Sequence, residues 1–222
     1  MNNLIFILHT LIITLITVIA SKIGERFLTS TLVIFGILAN LFVLKQIDLF
    51  NMQVTTSDVF IVGISLGLNL IQDQFDQKTA QKTVWVSFWG LLIYTVLSQF
   101  QIWYLPNQLD CTNLHFINLL SLAPRLTVAS LISYLISQTI DVKLYAYLKN
   151  KLANKPGLIK NYTSIAISQL ADTIIFSIIG LSGLNYNLFH IILFSYSIKL
   201  IAITISTSTI AGLKKLLKHE LF

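Results

Sequence analysis

Seven long apolar stretches constrain this chain more than any other feature of its sequence. Each is close to or longer than the roughly 20 residues that a helix needs to cross the hydrocarbon core of a bilayer. Lipid offers the backbone no hydrogen-bond partners, so a spanning segment must be a helix or a strand of a closed barrel, and runs such as LIFILHTLIITLITVIA lack the alternation of barrel strands. The sequence therefore predicts an all-α integral membrane protein, a bundle of six to seven transmembrane helices with the third stretch the weakest candidate. The predicted spans are residues 4–21, 27–44, 57–72, 84–105, 117–140, 162–183 and 187–212.

The composition agrees with a bilayer environment. Hydrophobic residues make up 55% of the chain and charged residues 11%, with a mean hydropathy of +0.77, whereas about a quarter of the residues of soluble proteins are charged. Because six or seven spans fill most of the 222 residues, we expect a single transmembrane domain over 1–222. The first stretch has no Lys or Arg before it and further spans follow, which favours a retained helix over a signal peptide.

Basic residues are distributed unevenly between the two predicted sides of the membrane. Most of the 15 Lys and Arg residues fall on one side, Lys45 falls on the other, and Arg125 and Lys199 lie within spans. Because cytoplasmic loops carry the excess of Lys and Arg, we predict an outer N-terminus and a cytoplasmic C-terminus. Topology thus accounts for the net charge of +6, and no basic face with aromatic platforms indicates a nucleic-acid partner.

One polar pattern, S-x-x-I-S-Q-x-x-D, occurs twice within apolar stretches and ends at Asp141 and at Asp172. Carboxylates are costly to keep in hydrocarbon, so each is a candidate functional residue. The amides of Gln138 and Gln169 offer donors and acceptors that could read a purine-like edge. Two other interpretations stay open: the Ser and Gln side chains only hold helices together, or the repeat is a trace of inverted symmetry between consecutive helices.

Charged residues at predicted membrane depth need partners. Asp172 and Lys199 both fall near mid-depth, where opposite charges usually find each other, so we predict an ion pair. Asp141 falls nearer the inner surface, where Lys143 or water would meet it, which makes Asp172 the stronger candidate ligand. Arg125 lies near the outer end of the fifth span, and its planar guanidinium suits a carbonyl or a planar polar ligand.

Motifs for catalysis and for metal binding are missing from the sequence. The four histidines are scattered without metal-ligand spacing. The segment Gly63–Gly67 lacks the length and the Lys-Ser/Thr ending of a phosphate-binding loop, so any dependence on ATP would need another subunit. The same segment, G-I-S-L-G, has the spacing of G-x-S-x-G but lies within an apolar run, and no S-x-x-K or H-E-x-x-H arrangement occurs, so no nucleophile with its base is identified. We therefore expect a transporter and not an enzyme, with no cofactor and no metal.

Two segments carry a family resemblance. PRLTVASLISYLISQTIDVKLYAYLK, from Pro124 to Lys149, resembles the queuosine precursor transporter family, also called vitamin uptake transporters. KNYTSIAISQLADTIIF, from Lys160 to Phe176, is similar to the family's second Ser-Gln-x-x-Asp segment, and Lys199 matches a lysine of its last helix. The resemblance is specific over residues 124–183.

Departures from the family pattern lie earlier in the chain. The family usually has Asp, Glu, Gly and Arg where this chain has Asn69, Asp73, Asp76 and Gln81. Asp73 keeps an acid, whereas Asn69 loses one. The substrate preference of this chain could therefore differ from that of other members.

The resemblance implies a multi-pass protein of the bacterial inner membrane that imports a 7-deazaguanine base for the modified tRNA nucleoside queuosine. The base would be the cyano or the aminomethyl precursor, or queuine. Such bases are flat and have a guanine-like hydrogen-bonding edge, which carboxylate, amide and guanidinium groups can recognise. Alternating access about a midplane site between helices five, six and seven is the expected mechanism. The candidate substrate-binding residues are Arg125, Gln138, Asp141, Gln169, Asp172 and Lys199.

Other functions are compatible with the same sequence. A substrate-binding membrane subunit for a vitamin-like solute, working with a separate ATPase module, would share the small size and the basic loops, and the chain could form a homo-oligomer. A membrane enzyme acting on lipid phosphates would need acidic clusters that hold a divalent metal, for which Asp73 and Asp76 form one small pair. A purely structural membrane subunit is the simplest alternative.

Overall fold

The computed structural model describes residues 1–55, 57–120, 124–182 and 188–216, and most of them are helical. A π-helical turn, Ser177–Leu181, continues the seventh helix. The helices are α1 Asn2–Ile23, α2 Glu25–Phe42, α3 Asp58–Gln74, α4 Gln77–Trp103, α5 Asn113–Leu120, α6 Pro124–Lys151, α7 Gly157–Phe176 and α8 Leu188–Leu216, and the strands are β1 Gln46–Leu49 and β2 Met52–Thr55.

Length and hydropathy confirm the predicted all-α membrane fold. Five helices are long and apolar enough to cross a bilayer: α1, α2, α4, α7 with its π-helical turn, and α8. A sixth span results if α5 and α6, which are bent relative to each other, are taken together. The third apolar stretch forms α3, which has 17 residues and is buried along nearly its whole length. It is thus a central helix of the bundle.

The predicted fifth span differs most from the structure. Residues 117–140 were expected to form one helix, but α5 ends at Leu120 and α6 begins at Pro124, and residues 121–123 lie outside the described part of the chain. Proline suits a first helical position because its φ angle is already helical. At its other end α6 continues to Lys151, well beyond the apolar run. The amphipathic end of a helix escapes a prediction based on hydropathy alone.

Helix α3 has two different faces because residues four apart share a side of a helix. Gly63 and Gly67 lie on one face, where a Cβ atom would be 2.5 Å from the Ile13 side chain of α1 or from the Leu32 side chain of α2. Ser65 lies on the opposite face, toward α6 and α7. The glycines therefore allow α1 and α2 to approach closely, while the polar side of α3 faces the other half of the bundle.

A β-hairpin, which the sequence analysis did not predict, connects α2 with α3. Strands β1 and β2 pair antiparallel through a two-residue turn at Phe50 and Asn51, whose φ angles of 49° and 62° fit a type I′ turn. Leu49 is fully buried, and the Asn2 amide donates to the Asp48 carbonyl oxygen at 3.1 Å. The hairpin therefore ties the start of α1 to the connection between α2 and α3.

Candidate functional site

Polar side chains from three helices meet in the interior of the bundle. All of them are fully buried, and two of the three helices carry the repeated sequence pattern. We call this group the carboxamide cluster. Its members are Ser65 and Asn69 of α3, Gln138 and Asp141 of α6, and Ser164, Ser168 and Gln169 of α7.

Serines link the amides and the carboxylate of the carboxamide cluster. Ser65 Oγ donates to Gln138 Oε1 at 2.9 Å and accepts from Gln169 Nε2 at 3.1 Å, so it joins the two glutamines. Ser164 Oγ donates to Asp141 Oδ1 at 2.8 Å. Asn69 Nδ2 in turn donates to Ser164 Oγ at 3.1 Å. Two short chains of hydrogen bonds thus connect helices α3, α6 and α7.

Part of the carboxamide cluster has no partner within the described residues. Asn69 Oδ1, Asp141 Oδ2 and Gln169 Oε1 are unpaired acceptors, and Gln138 Nε2 is an unpaired donor. Each buried polar atom without a hydrogen bond costs about 1–3 kcal/mol, and a charged group costs more. Asp141 also has no ion-pair partner among the described ranges. A ligand with matching groups would recover this energy.

A second group, the charged triad, consists of Asp58 of α3, Asp172 of α7 and Lys199 of α8. Lys199 Nζ donates to Asp172 Oδ2 at 2.7 Å and lies 3.6 Å from Asp58 Oδ1. The three side chains are only 9%, 13% and 3% exposed, in chain order. Ser195 donates to Asp58 at 3.1 Å, and Ser137 donates to Asp172 at 3.2 Å. The structure thus contains the predicted pair of Asp172 and Lys199 and adds a second acid.

Asp58 was not predicted as a site residue, and the position predicted for Asp141 was wrong. Asp58 begins α3, and an acid in the first turn of a helix is common enough to escape notice. Asp141 was expected near the inner surface with Lys143 or water, but it is fully buried and bonded to Ser164. The expectation was wrong because α6 continues for ten residues beyond Asp141, to Lys151.

The two copies of the repeated pattern bond crosswise. Ser137 of the first copy donates to Asp172 of the second, and Ser164 of the second donates to Asp141 of the first. Ser137 precedes Gln138 in the chain, and Asp172 lies one helical turn from Gln169. The carboxamide cluster and the charged triad are therefore next to each other where α6 packs against α7.

Arg125 lies apart from both groups. Its Nε donates to the Ile179 carbonyl oxygen at 2.6 Å, and its Nη2 donates to the carbonyl and hydroxyl oxygens of Ser182 at 2.7 Å. Arg125 is exposed and about 20 Å along α6 from Gln138, at 1.5 Å per residue. Its bonds stabilise the end of the π-helical turn that follows α7, where carbonyl groups lack helical partners.

The small acidic pair near the opposite surface has structural partners. Asp73 accepts from the Tyr145 hydroxyl at 2.9 Å and lies 3.4 Å from Lys149 Nζ. Asp76 caps α4 by accepting from the Thr79 backbone N–H at 2.6 Å, and this bond lowers the pKa of the Asp76 carboxyl. Within the described ranges no group of three or more His, Cys, Asp or Glu side chains could hold a metal ion.

The carboxamide cluster is closed to solvent in this conformation, and the side chains of the charged triad are at most 13% exposed. A cavity of about 240 Å³ lies where the end of α4 meets α5 and the loop between them, and residues including Tyr104, Asp110 and Phe116 line it. A smaller cavity lies between α2, α4, α5 and the start of α6. Residues of the carboxamide cluster and the charged triad line neither cavity. The structure is therefore closed around its buried polar groups.

Comparisons with known proteins identify the family of this chain. The family model described as "Putative vitamin uptake transporter" matches residues 55–212, which include both interior groups. A protein of Bacillus subtilis (strain 168) named "Probable queuosine precursor transporter" is 28% identical over 185 residues, covering 82% of this chain and 81% of that protein. No solved structure matches.

Proposed function

This chain belongs to the vitamin uptake transporter family, and from that premise we propose that it imports a 7-deazaguanine precursor of queuosine across the bacterial inner membrane. The name of the Bacillus subtilis relative supports this substrate class. The carboxamide cluster is the binding site for the base, and the unpaired atoms of the cluster are the observation that carries the assignment.

The unpaired atoms complement the edge of a guanine-like base. That edge presents an N–H group, a neighbouring amino group and a carbonyl oxygen. Asp141 Oδ2, Asn69 Oδ1 and Gln169 Oε1 offer three acceptors for the N–H bonds, and Gln138 Nε2 offers a donor for the carbonyl oxygen. A carboxylate facing a guanidine-like group forms charge-assisted hydrogen bonds, which are about twice as strong as neutral ones.

The geometry favours Asp141 over Asp172 as the carboxylate that binds the base. Both oxygens of Asp172 have donors, from Lys199 and Ser137. Asp141 Oδ2 has none within the described residues. The predicted depth of Asp172 in the membrane makes it the stronger candidate from sequence alone, but a partnered carboxylate has less to gain from a ligand than an unpartnered one.

Because the carboxamide cluster is closed, binding requires a conformational change. The bonds that join Ser65 to Gln138 and to Gln169 hold α6 and α7 against α3. Separating α3 from these helices opens the cluster toward one surface, and closing it around the base restores the lost hydrogen bonds through the ligand. Alternation of this opening between the two surfaces carries the base across the membrane.

Binding to purified protein in lipid nanodiscs tests the site directly. The ligands are 7-cyano-7-deazaguanine, 7-aminomethyl-7-deazaguanine and queuine, and hypoxanthine, which lacks the amino group, is the comparison. Loss of a charged hydrogen-bond partner costs about 1.5–3 kcal/mol, so D141N should weaken binding roughly 10- to 150-fold. The matched control is D110N, which removes the same charge from an exposed loop. Unchanged affinity of the D141N variant in folded protein would refute the assignment.

A cellular measurement tests the transport itself. The chain is expressed in a bacterium that lacks its own synthesis and import of queuosine precursors, each base is supplied at low concentration, and queuosine is measured in tRNA. Restoration that depends on Asp141 supports import. If verified membrane expression and competent downstream enzymes give no queuosine until an ATPase partner is supplied, the chain is instead the substrate-binding subunit of a larger transporter.

A further inference from the structure

The charged triad carries a charge imbalance that the substrate site does not explain. Its two carboxylates and one ammonium group sum to one negative charge when all three are ionised. The side chains are at most 13% exposed. Within the described part of the chain, Lys199 is the one cation that pairs with either acid. A net charge in a buried membrane site is costly unless something neutralises it.

The distances show which acid is the less neutralised. The contact between Lys199 and Asp172 is 2.7 Å, the length of a charge-assisted hydrogen bond. The contact between Lys199 and Asp58 is 3.6 Å, which is beyond hydrogen-bonding distance. The hydrogen bond to Asp58 comes from the neutral hydroxyl of Ser195. Lys199 and Asp172 thus form a complete pair, and Asp58 holds the remaining charge.

The elements around Asp58 bring few other titratable groups. Helix α7 contributes Asp172 and α8 contributes Lys199. Helix α1 contributes His9, whose ring packs against Phe60 with centroids 4.9 Å apart. On α6, Asp141 bonds to Ser164 in the carboxamide cluster. The charged residues of α2 and α4 lie within the first two turns of those helices, at the far end of α3: Glu25, Arg26, Lys78 and Lys82.

We propose that the charged triad binds the coupling proton of transport, with Asp58 as the group that is protonated. One proton on a carboxyl oxygen of Asp58 makes the triad neutral, and its loss restores the charge. The proton enters from the side where the base is taken up and leaves on the other side, so that base and proton move together. This inference rests on the transport function proposed above and adds its energy source.

Shared helices link the proton to the base. Asp58 and Ser65 are both on α3, and Asp172 and Gln169 are one turn apart on α7. A separation of α7 from α3 that admits the base also changes the distance between Asp172 with its bound Lys199 and Asp58. The protonation of Asp58 and the opening of the substrate site therefore influence each other, and such coupling is reciprocal.

Proteoliposomes containing the purified full chain test the proposal with radiolabelled 7-cyano-7-deazaguanine, which is uncharged. An inward proton gradient should drive the wild-type protein to accumulate the base at least 10-fold, with alkalinisation of the medium by one proton per base. The D58N variant should accumulate at least 10-fold less base than the wild-type protein, while counterflow of the base without a gradient stays measurable. D58E, which restores a titratable group, should recover part of the accumulation, and D110N should behave as the wild type.

Each other outcome decides a separate question. Accumulation that a sodium gradient drives and a proton gradient does not would overturn the proposal, and so would full proton-driven accumulation by the D58N variant. If D58N does not fold, the proton-to-base ratio of the wild-type protein still tests the coupling. Counterflow that is absent in the wild-type protein with every deazaguanine tried would instead count against the proposed transport function.

Discussion

The packing of α3 against α2 at Gly67 allows a quantitative test of the fold. The substitution Gly67→Ala adds one Cβ atom, which would lie 2.5 Å from Leu32 Cδ2, 3.0 Å from Cδ1 and 3.2 Å from Cγ. Carbon atoms in contact prefer about 3.5–4.0 Å, so Leu32 must move by roughly 1 Å. Leu32 is fully buried, so its side chain must shift among packed neighbours. The two helices must therefore separate or the leucine must take a strained rotamer.

The expected cost follows from two opposing effects. Overpacking a tight core costs about 1–3 kcal/mol, whereas replacing glycine by alanine within a helix gains about 0.5–1 kcal/mol. Gly212→Ala in α8 is the matched control, because nothing lies within 4 Å of its added Cβ atom. The difference between the two variants removes the gain in helix propensity. Gly67→Ala should thus be about 1–3 kcal/mol less stable than Gly212→Ala.

Unfolding of the purified protein in mixed micelles, followed by tryptophan fluorescence as SDS is added, measures both variants. A second substitution, Leu32→Ala, removes the crowded atoms and alone costs about 2–5 kcal/mol through the cavity it leaves. Combined with Gly67→Ala it should cost less than the sum of the two single changes, because the new methyl group enters the space that Leu32 vacated. Equal stability of Gly67→Ala and Gly212→Ala would refute the close packing of α2 on α3.

Two further predictions concern topology and pH. Cys111, the single cysteine, is exposed in the loop before α5, so a membrane-impermeant maleimide should label it in intact cells if the N-terminus is outside. A C111S protein with N154C in the opposite loop should be labelled only after permeabilisation. The reverse result would show the opposite topology. The lowered pKa of Asp76 means that its cap stabilises α4 above the carboxyl's unfolded pKa and is lost as pH falls through the folded one. D76A should therefore reduce the unfolding midpoint at neutral pH and approach the wild type in acid, and an equal reduction at both pH values would contradict the role of Asp76 as a cap.

Hydropathy predicted the helices well, because each apolar stretch has one physical solution in lipid. The ion pair of Asp172 and Lys199 was also predictable, since two opposite charges at similar depth have few alternatives. The α3 residues that bond to Gln138, Gln169 and Ser164 were not predictable in this way. Ser65 and Asn69 are common polar residues on the predicted third span, and their role depends on which face of α3 meets α6 and α7. That face is set by the glycines on the opposite side, which is a packing effect without a hydropathy signal.

Other parts of the site depended on where helices end. Asp141 seemed close to the surface because the apolar run stops at residue 140, but the polar continuation of α6 to Lys151 places it in the interior. Arg125 seemed free to bind a ligand, but the π-helical turn after α7 presents carbonyl oxygens that use its donors. Neither the length of a polar helix end nor a local change of helix type can be derived from apolar periodicity.

The closure of the carboxamide cluster affects how any measured affinity should be interpreted. On the function proposed above, the base binds only to the open form, so the apparent dissociation constant equals the intrinsic one divided by the fraction of molecules that are open. If about 1% of molecules are open, the site binds about 100-fold more tightly than a titration indicates. Substitutions that weaken the contacts of Ser65 would enlarge the open fraction and strengthen apparent binding while slowing the return to the closed form. In such a protein the tightest-binding variant need not be the fastest carrier.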